Sequence, residues 1–171
     1  MRTIREMLVT LILALAMFFA LQLTVQSSVV VGSSMEPSLQ NGQRLVVNKA
    51  AYAFHGPARG DVVVFFSPGN QHVEFIKRII GIPGDMVQVD DGRVTVNGTV
   101  LEEPYIAIPP RYTFYQLVIP ENSYFVLGDN RNNSNDSHNG WTVPRKNIVG
   151  RGWLSIWPPG EWGLVPNHIL P

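Results

Sequence analysis

The chain has 171 residues, 45% hydrophobic and 15% charged, which is too apolar for a disordered segment and the size of one ordinary domain with an appendage. Thirteen Lys and Arg balance thirteen Asp and Glu, so there is no basic footprint for a nucleic-acid partner. The chain lacks Cys, which excludes disulfides, thiolate metal sites and a Cys nucleophile, and its four His are scattered without metal-ligand spacing.

The first predicted element is the apolar run Met7 to Val25, MLVTLILALAMFFALQLTV, which contains no charged residue. Its length is close to the roughly 20 residues that a helix needs to cross hydrocarbon, and it exceeds the roughly 7–15 residues of a signal-peptide core. We read it as a membrane anchor. A cleaved signal is the competing reading, with Val25-Gln26-Ser27 as a passable small-residue cleavage site. Arg2 and Arg5 precede the run and no basic residue follows before Arg44, so the positive-inside tendency keeps the N-terminus cytoplasmic and puts the rest of the chain across the membrane. Residues 1–27 then form a cytoplasmic tip and single-pass anchor, and residues 28–171 an extracytoplasmic domain.

From Ser28 onward the pattern is that of a mainly β, antiparallel domain. The predicted strands are Arg44–Asn48, Asp61–Phe66, His72–Ile80, Met86–Val89, Arg93–Val96 and Tyr124–Leu127, separated by Gly, Pro, Asn and Asp. Asp91-Gly92 predicts a hairpin turn, and Asn97-Gly98 a second turn. The segment Tyr105 to Pro120, rich in Pro and aromatics, reads as a loop or as part of a small subdomain at about residues 91–120. Trp141, Trp153, Trp157 and Trp162 cluster late in the chain. Tryptophan favours the membrane–water interface, but core packing is the plainer expectation.

Three stretches are too specific for scaffold alone: Gly32-Ser33-Ser34-Met35-Glu36-Pro37-Ser38-Leu39, Lys77-Arg78-Ile79-Ile80-Gly81-Ile82-Pro83-Gly84-Asp85, and Gly128-Asp129-Asn130-Arg131-Asn132-Asn133-Ser134-Asn135-Asp136-Ser137. A serine hydroxyl needs a base to take its proton, and no Ser-His-Asp arrangement is evident. A lysine serves as that base only when neutral, which requires its pKa to fall by roughly 2–3 units from about 10.4, a shift that desolvation can supply. If His72–Ile80 is a strand, alternation places Lys77 on one face with Phe75 and Ile79, and Arg78 on the other with Glu74, Ile76 and Ile80. An edge-strand lysine facing water is the ordinary alternative.

In their order behind the apolar run, and with Gly60-Asp61-Val62-Val63-Val64-Phe65 as a fourth box, these stretches resemble the conserved boxes of bacterial type I signal peptidases, membrane-anchored Ser-Lys serine proteases. The resemblance runs from the anchor to about Pro159. It implies Ser34 as nucleophile and Lys77 as general base, Ser134 as a hydrogen-bond partner that orients the lysine, and Asp129, Arg78 and Asp136 as charged residues shaping the floor of the site, with Asp129 paired to Arg78. By box register, Val30, Met35, Leu39, Leu45, Val64, Phe75 and Ile76 line shallow pockets for the small residues of an Ala-x-Ala site. Taken singly, each of these reads as core.

The chain departs from the family pattern in places. Many members carry Ser at Gly32, where the hydroxyl helps hold the oxyanion, and His138 stands where Arg is common, which weakens any pairing with Asp136. The resemblance implies preprotein signal peptides as substrates, membrane lipid and the export machinery as neighbours, and neither metal nor organic cofactor. The rival readings are a self-cleaving Ser-Lys protease of the repressor type and an inactive membrane-tethered binding module.

Overall fold

The computed structural model describes residues 2–170. The apolar run forms helix α1 (Arg2–Thr24), about 34 Å long at 1.5 Å per residue. Its span Thr3–Thr24 has mean hydropathy 2.3 and none of it is buried against the fold, so the helix is long and apolar enough to cross a membrane. It passes directly into β1 (Val25–Val29), whose residues pair with β2 (Arg44–Asn48). The candidate cleavage site Val25-Gln26-Ser27 therefore lies inside a strand ladder rather than in a free linker.

The remaining strands are β3 (Val62–Ser67), β4 (Asn70–Gly81), β5 (Met86–Asp90), β6 (Arg93–Val96), β7 (Thr99–Val100), β8 (Phe114–Val118), β9 (Ser123–Leu127), β10 (Val143–Pro144), β11 (Ile148–Trp157) and β12 (Gly163–Leu164). They form an eight-stranded sheet in the order β1-β2-β11-β3-β4-β9-β10, with β12 on β11, and a four-stranded sheet in the order β7-β6-β5-β8. The predicted strands appear within one or two residues of their expected ends, and the paired neighbours are antiparallel. Both predicted turns form. Asp91 and Gly92 have φ of 46° and 71°, and Asn97 and Gly98 have 52° and 82°, the left-handed pair that a two-residue hairpin needs.

The large sheet buries residues on both faces. Val62, Val64 and Ile76 point into a cluster with Leu45 and Val47, while Val63, Phe65 and Ile79 point into another with Tyr124, Val126 and Val143. The small sheet closes over a third cluster that also takes Ile80, Phe125 and Leu127 from the large sheet, so the two sheets share a core. The segment Tyr105 to Pro120 is not purely a loop: Phe114–Val118 pairs with β5 as a strand.

The tryptophans correct the core-packing expectation. Trp153, Trp157 and Trp162 are about half or more exposed, and only Trp141 packs inward, against Phe65. Strand β11, which is not among the predicted strands, lies inside the large sheet between β2 and β3. A Cβ on Gly150 would meet the Asn48 carbonyl oxygen at 2.5 Å, so glycine here permits close strand approach. Gly150→Ala is expected to cost about 1–3 kcal/mol in urea unfolding. Gly152→Ala, whose Cβ would meet a Val165 methyl at 3.3 Å, should cost clearly less.

Candidate active site

Ser34 lies in the turn between β1 and β2, on a backbone tied at several points. Gly32, with φ of +86°, takes a left-handed conformation that favours glycine, and its N–H donates to Asn41 Oδ1 at 2.9 Å. The Glu36 N–H donates to the Ser33 carbonyl and Leu39 N–H to the Met35 carbonyl, winding the chain after Ser34 into a tight turn. Asn130 clamps the segment from outside. Its backbone N–H donates to the Ser34 carbonyl at 3.0 Å, and its side-chain amide donates to the Ser33 carbonyl at 3.1 Å. Asn133 donates to the Ser33 hydroxyl. Gly128 lies where any Cβ would collide with the Ser34 carbonyl oxygen and the Ser134 hydroxyl, so the loop packs onto the serine turn only because position 128 has no side chain. The Asn130 and Gly128 contacts were not foreseen from sequence. Among the described residues the Ser34 N–H has no acceptor.

Lys77 lies on β4 opposite Val63, on the face shared with Phe75 and Ile79 as alternation predicts. It is 4% exposed, its Nζ lies 2.7 Å from Ser34 Oγ, and it donates to the Ile76 carbonyl at 2.8 Å. The Phe75 ring sits 5.4 Å from Nζ. No carboxylate bonds this amine among the described residues. Burial lowers its pKa to about 8, against the opposing pull of Asp136 and Asp129.

The next residue is treated in the opposite way. Arg78 is fully buried and forms a two-pronged pair with Asp129, at 2.9 and 2.7 Å, as expected. It also donates to the Gly60 and Pro166 carbonyls and lies 4.1 Å from the Tyr105 ring. Tyr105 in turn donates its hydroxyl to Glu103, and Glu103 pairs with buried Arg131 at 2.6 and 2.7 Å. This gives the Tyr105 region, illegible in sequence, the role of a lid over two buried guanidinium groups. Asp136 accepts the Gly128 N–H and lies 2.7 Å from His138 Nδ1, so the pairing expected to be weak is made. The His138 ring also stacks on Tyr112 at 4.2 Å.

Ser134 departs from expectation. Its hydroxyl is buried and has no hydrogen-bond partner among the described residues, while the amine it was expected to orient contacts Ser34 and the Ile76 carbonyl.

Six of the seven expected pocket residues, Val30, Met35, Leu39, Leu45, Val64 and Ile76, belong to one buried cluster beneath Ser34. Phe75 faces the other side of the sheet, with Phe65 and Lys77. The cleft above the cluster measures about 340 Å³ and is walled by residues 27–31, Ser34 and Met35 on one side and 74–77 on the other. Val30, Met35, Phe75 and Ile76 reach its surface, while Leu39, Leu45 and Val64 form the layer below. Because β9 pairs with β4 only from Arg78 onward, the Glu74–Lys77 edge has no ladder partner on the cleft side among the described residues, where the Ile76 carbonyl is taken by Lys77 Nζ.

The profile of the signal peptidase family, peptidase S26, matches residues 3–157. A probable signal peptidase I-2 of Synechocystis is 48% identical over 140 residues, covering 79% of this chain and 64% of that protein. A probable signal peptidase I-1 of the same organism is 40% identical over 171 residues, covering 96% of this chain and 86% of the relative. The crystal structure of a signal peptidase I from Enterococcus faecalis is 33% identical with a TM-score of 0.50, covering 56% of this chain and 95% of that one. With this breadth of match on a β scaffold behind one apolar helix, the chain belongs to the type I signal peptidases, the serine protease hydrolases of family S26.

Proposed function

We propose that this chain is a membrane-bound endopeptidase that removes signal peptides from exported preproteins by a Ser34–Lys77 dyad. The observation that carries the reading is the 2.7 Å approach of an almost fully buried lysine amine, unpaired with any carboxylate among the described residues, to a serine hydroxyl at the rim of an open cleft.

Neutral Lys77 accepts the Ser34 proton as Oγ attacks the scissile carbonyl. The Ser34 N–H, without an acceptor among the described residues, takes the oxyanion. Gly32 supplies no hydroxyl there, and its N–H is committed to Asn41. The lysinium then returns its proton to the leaving amine and leaves an acyl-enzyme. Lys77, neutral again, takes a proton from the water that releases the acyl group. Ser134, a buried hydroxyl without a partner, is suited to accept a lysinium N–H in the charged states of this cycle, because an unpaired buried oxygen gains most from a donor. Asp129 with Arg78, and Asp136, hold the floor on which the Gly128–Ser134 loop rests.

The substrate binds as an added strand between β1 and the free edge of β4, and the layer of Val30, Met35, Leu39, Leu45, Val64 and Ile76 admits only small side chains from an Ala-x-Ala end, with Phe75 at the rim. Helix α1 serves as a single-pass anchor with its N-terminus cytoplasmic and the β domain on the far face. Exposed Trp153, Trp157 and Trp162 provide a surface for membrane lipid, with the export machinery close by.

Ser34→Ala and Lys77→Ala are each expected to abolish cleavage of a preprotein ending in Ala-x-Ala, read by gel in detergent. A cut by either variant would remove that residue from the dyad. The rate should rise as pH passes through about 8, where Lys77 loses its proton. Asp136→Asn removes a charge that holds the lysine pKa up, so the rising limb of the pH–rate profile should move to lower pH.

Lys77 also acts on stability. Its folded pKa lies below the unfolded value of 10.5, so the penalty is complete below pH 8 and fades as pH rises from there to 10.5. The full shift corresponds to about 3 kcal/mol. Lys77→Met should therefore stabilise the fold by about 1–3 kcal/mol at pH 7 in urea unfolding, with the gain vanishing above pH 10.5.

A further inference from the structure

Residues 165–170 follow β12 without regular secondary structure and lie as a strap across β11 and the start of β3. They stand beyond the four sequence boxes, the last of which ends at Ser137, and no step of the proposed reaction uses them. Half-buried Asn167 nevertheless completes the large sheet. The ladder between β3 and β11 runs as far as the pair Val63 and Arg151. Where the next rung would join Val62 to Gly152, the Asn167 carboxamide stands between the strands. Its Oδ1 accepts the Val62 N–H at 2.7 Å, and its Nδ2 donates to the Gly152 carbonyl at 3.1 Å. Nδ2 also donates to the Val165 carbonyl at 3.0 Å, within the strap itself. A carboxamide suits this place because it carries an acceptor and a two-proton donor on one planar head.

The strap is fastened on both sides of Asn167. The Val165 N–H donates to the Trp153 carbonyl at 2.9 Å, and the Val165 side chain belongs to the buried cluster beneath Ser34. The His168 N–H donates to the Gly60 carbonyl at 3.2 Å, and the His168 ring lies 4.9 Å from the Tyr105 ring. A Cβ on Gly60 would overlap the His168 carbonyl oxygen, so the strap seats only against a glycine.

Between these fastenings the Pro166 carbonyl meets Arg78. Arg78 Nη1 donates to the Gly60 carbonyl at 2.9 Å and to the Pro166 carbonyl at 2.8 Å, so both of its protons are used. The guanidinium is fully buried, and a buried charged donor without an acceptor is more costly than a neutral one. Without the strap it is drawn toward water, and it takes Asp129 with it along its two-pronged bond. Asp129 directly precedes Asn130, which grips the Ser33 and Ser34 carbonyls.

We propose that Asn167 is a positioning residue for the reaction proposed above: it locks the strap, sets the Pro166 carbonyl on Arg78 and, through Asp129 and Asn130, fixes where Ser34 stands relative to Lys77. Asn167 touches no reacting group, so its loss lowers turnover and leaves substrate binding in place. A misplacement of about 1 Å at reacting atoms can cost about 100-fold.

The test uses the full chain in detergent and a preprotein ending in Ala-x-Ala. Asn167→Ala should lower kcat by about 10- to 100-fold and leave KM within about twofold, in protein shown by urea unfolding to be folded under the assay conditions. Asn167→Ser, whose hydroxyl can meet only one of the two strands, should fall between wild type and Asn167→Ala, and it carries the test if Asn167→Ala fails to fold. The strap lies on the Arg78 side of β4, away from Lys77, so the rising limb of the pH–rate profile should stay near pH 8 in the variants. Full kcat in a folded variant, a raised KM with kcat unchanged, or a loss no larger than the unfolded fraction overturns the positioning role. A displaced rising limb also overturns it, since that marks a site opened to water. Each of these results leaves the peptidase reading intact. If wild type itself does not cut, the peptidase reading falls and the role of Asn167 falls with it.

Discussion

The site depends on an amine held out of water with no bonded carboxylate among the described residues. A lysine on a strand edge normally keeps its charge in solvent, and here the cross-strand position opposite Val63 and the flanking Phe75 ring take that solvent away. A carboxylate within bonding distance would restore the charged form of the amine beside Ser34. The acidic groups that act on Lys77 at longer range, Asp136 and Asp129, are themselves engaged, by the Gly128 N–H and His138 and by Arg78. They therefore moderate the shift without cancelling it.

The same strand resolves the opposite problem one residue later. Arg78 cannot lose its proton, so its burial requires full compensation, and Asp129 with the Gly60 and Pro166 carbonyls supplies it. That pairing fixes Asp129 at the head of the loop whose next residue, Asn130, grips the Ser34 turn. Ser34, Lys77 and the loop are thus registered against one another through a buried ion pair. The lid of Tyr105 and Glu103 extends this network to Arg131, and so joins the small sheet to the floor of the site.

Much of this was legible in the sequence. The hairpin turns at Asp91-Gly92 and Asn97-Gly98 form because only a few residue types accept left-handed φ, so local chemistry suffices to place them. The opposed faces of Lys77 and Arg78 follow from the period of a strand, and the apolar helix follows from length and hydropathy. The interior strand β11 was not among the predicted strands, and the role of its Gly150 lies in the approach of Asn48, which is distant in the chain. β1 was hidden because its first residue, Val25, continues the apolar run of the helix.

The amino-acid sequence by itself determined the helix, the turns, the alternation along β4 and the residue types available for chemistry, since each rests on interactions within a few residues. The tertiary structure alone decided that Lys77 is dry and within reach of Ser34, that Ser134 has no partner among the described residues, that three of the tryptophans face outward, and that Glu74 bridges to β1. These facts depend on desolvation and on contacts between residues tens of positions apart, and neither is a property of any local stretch of chain.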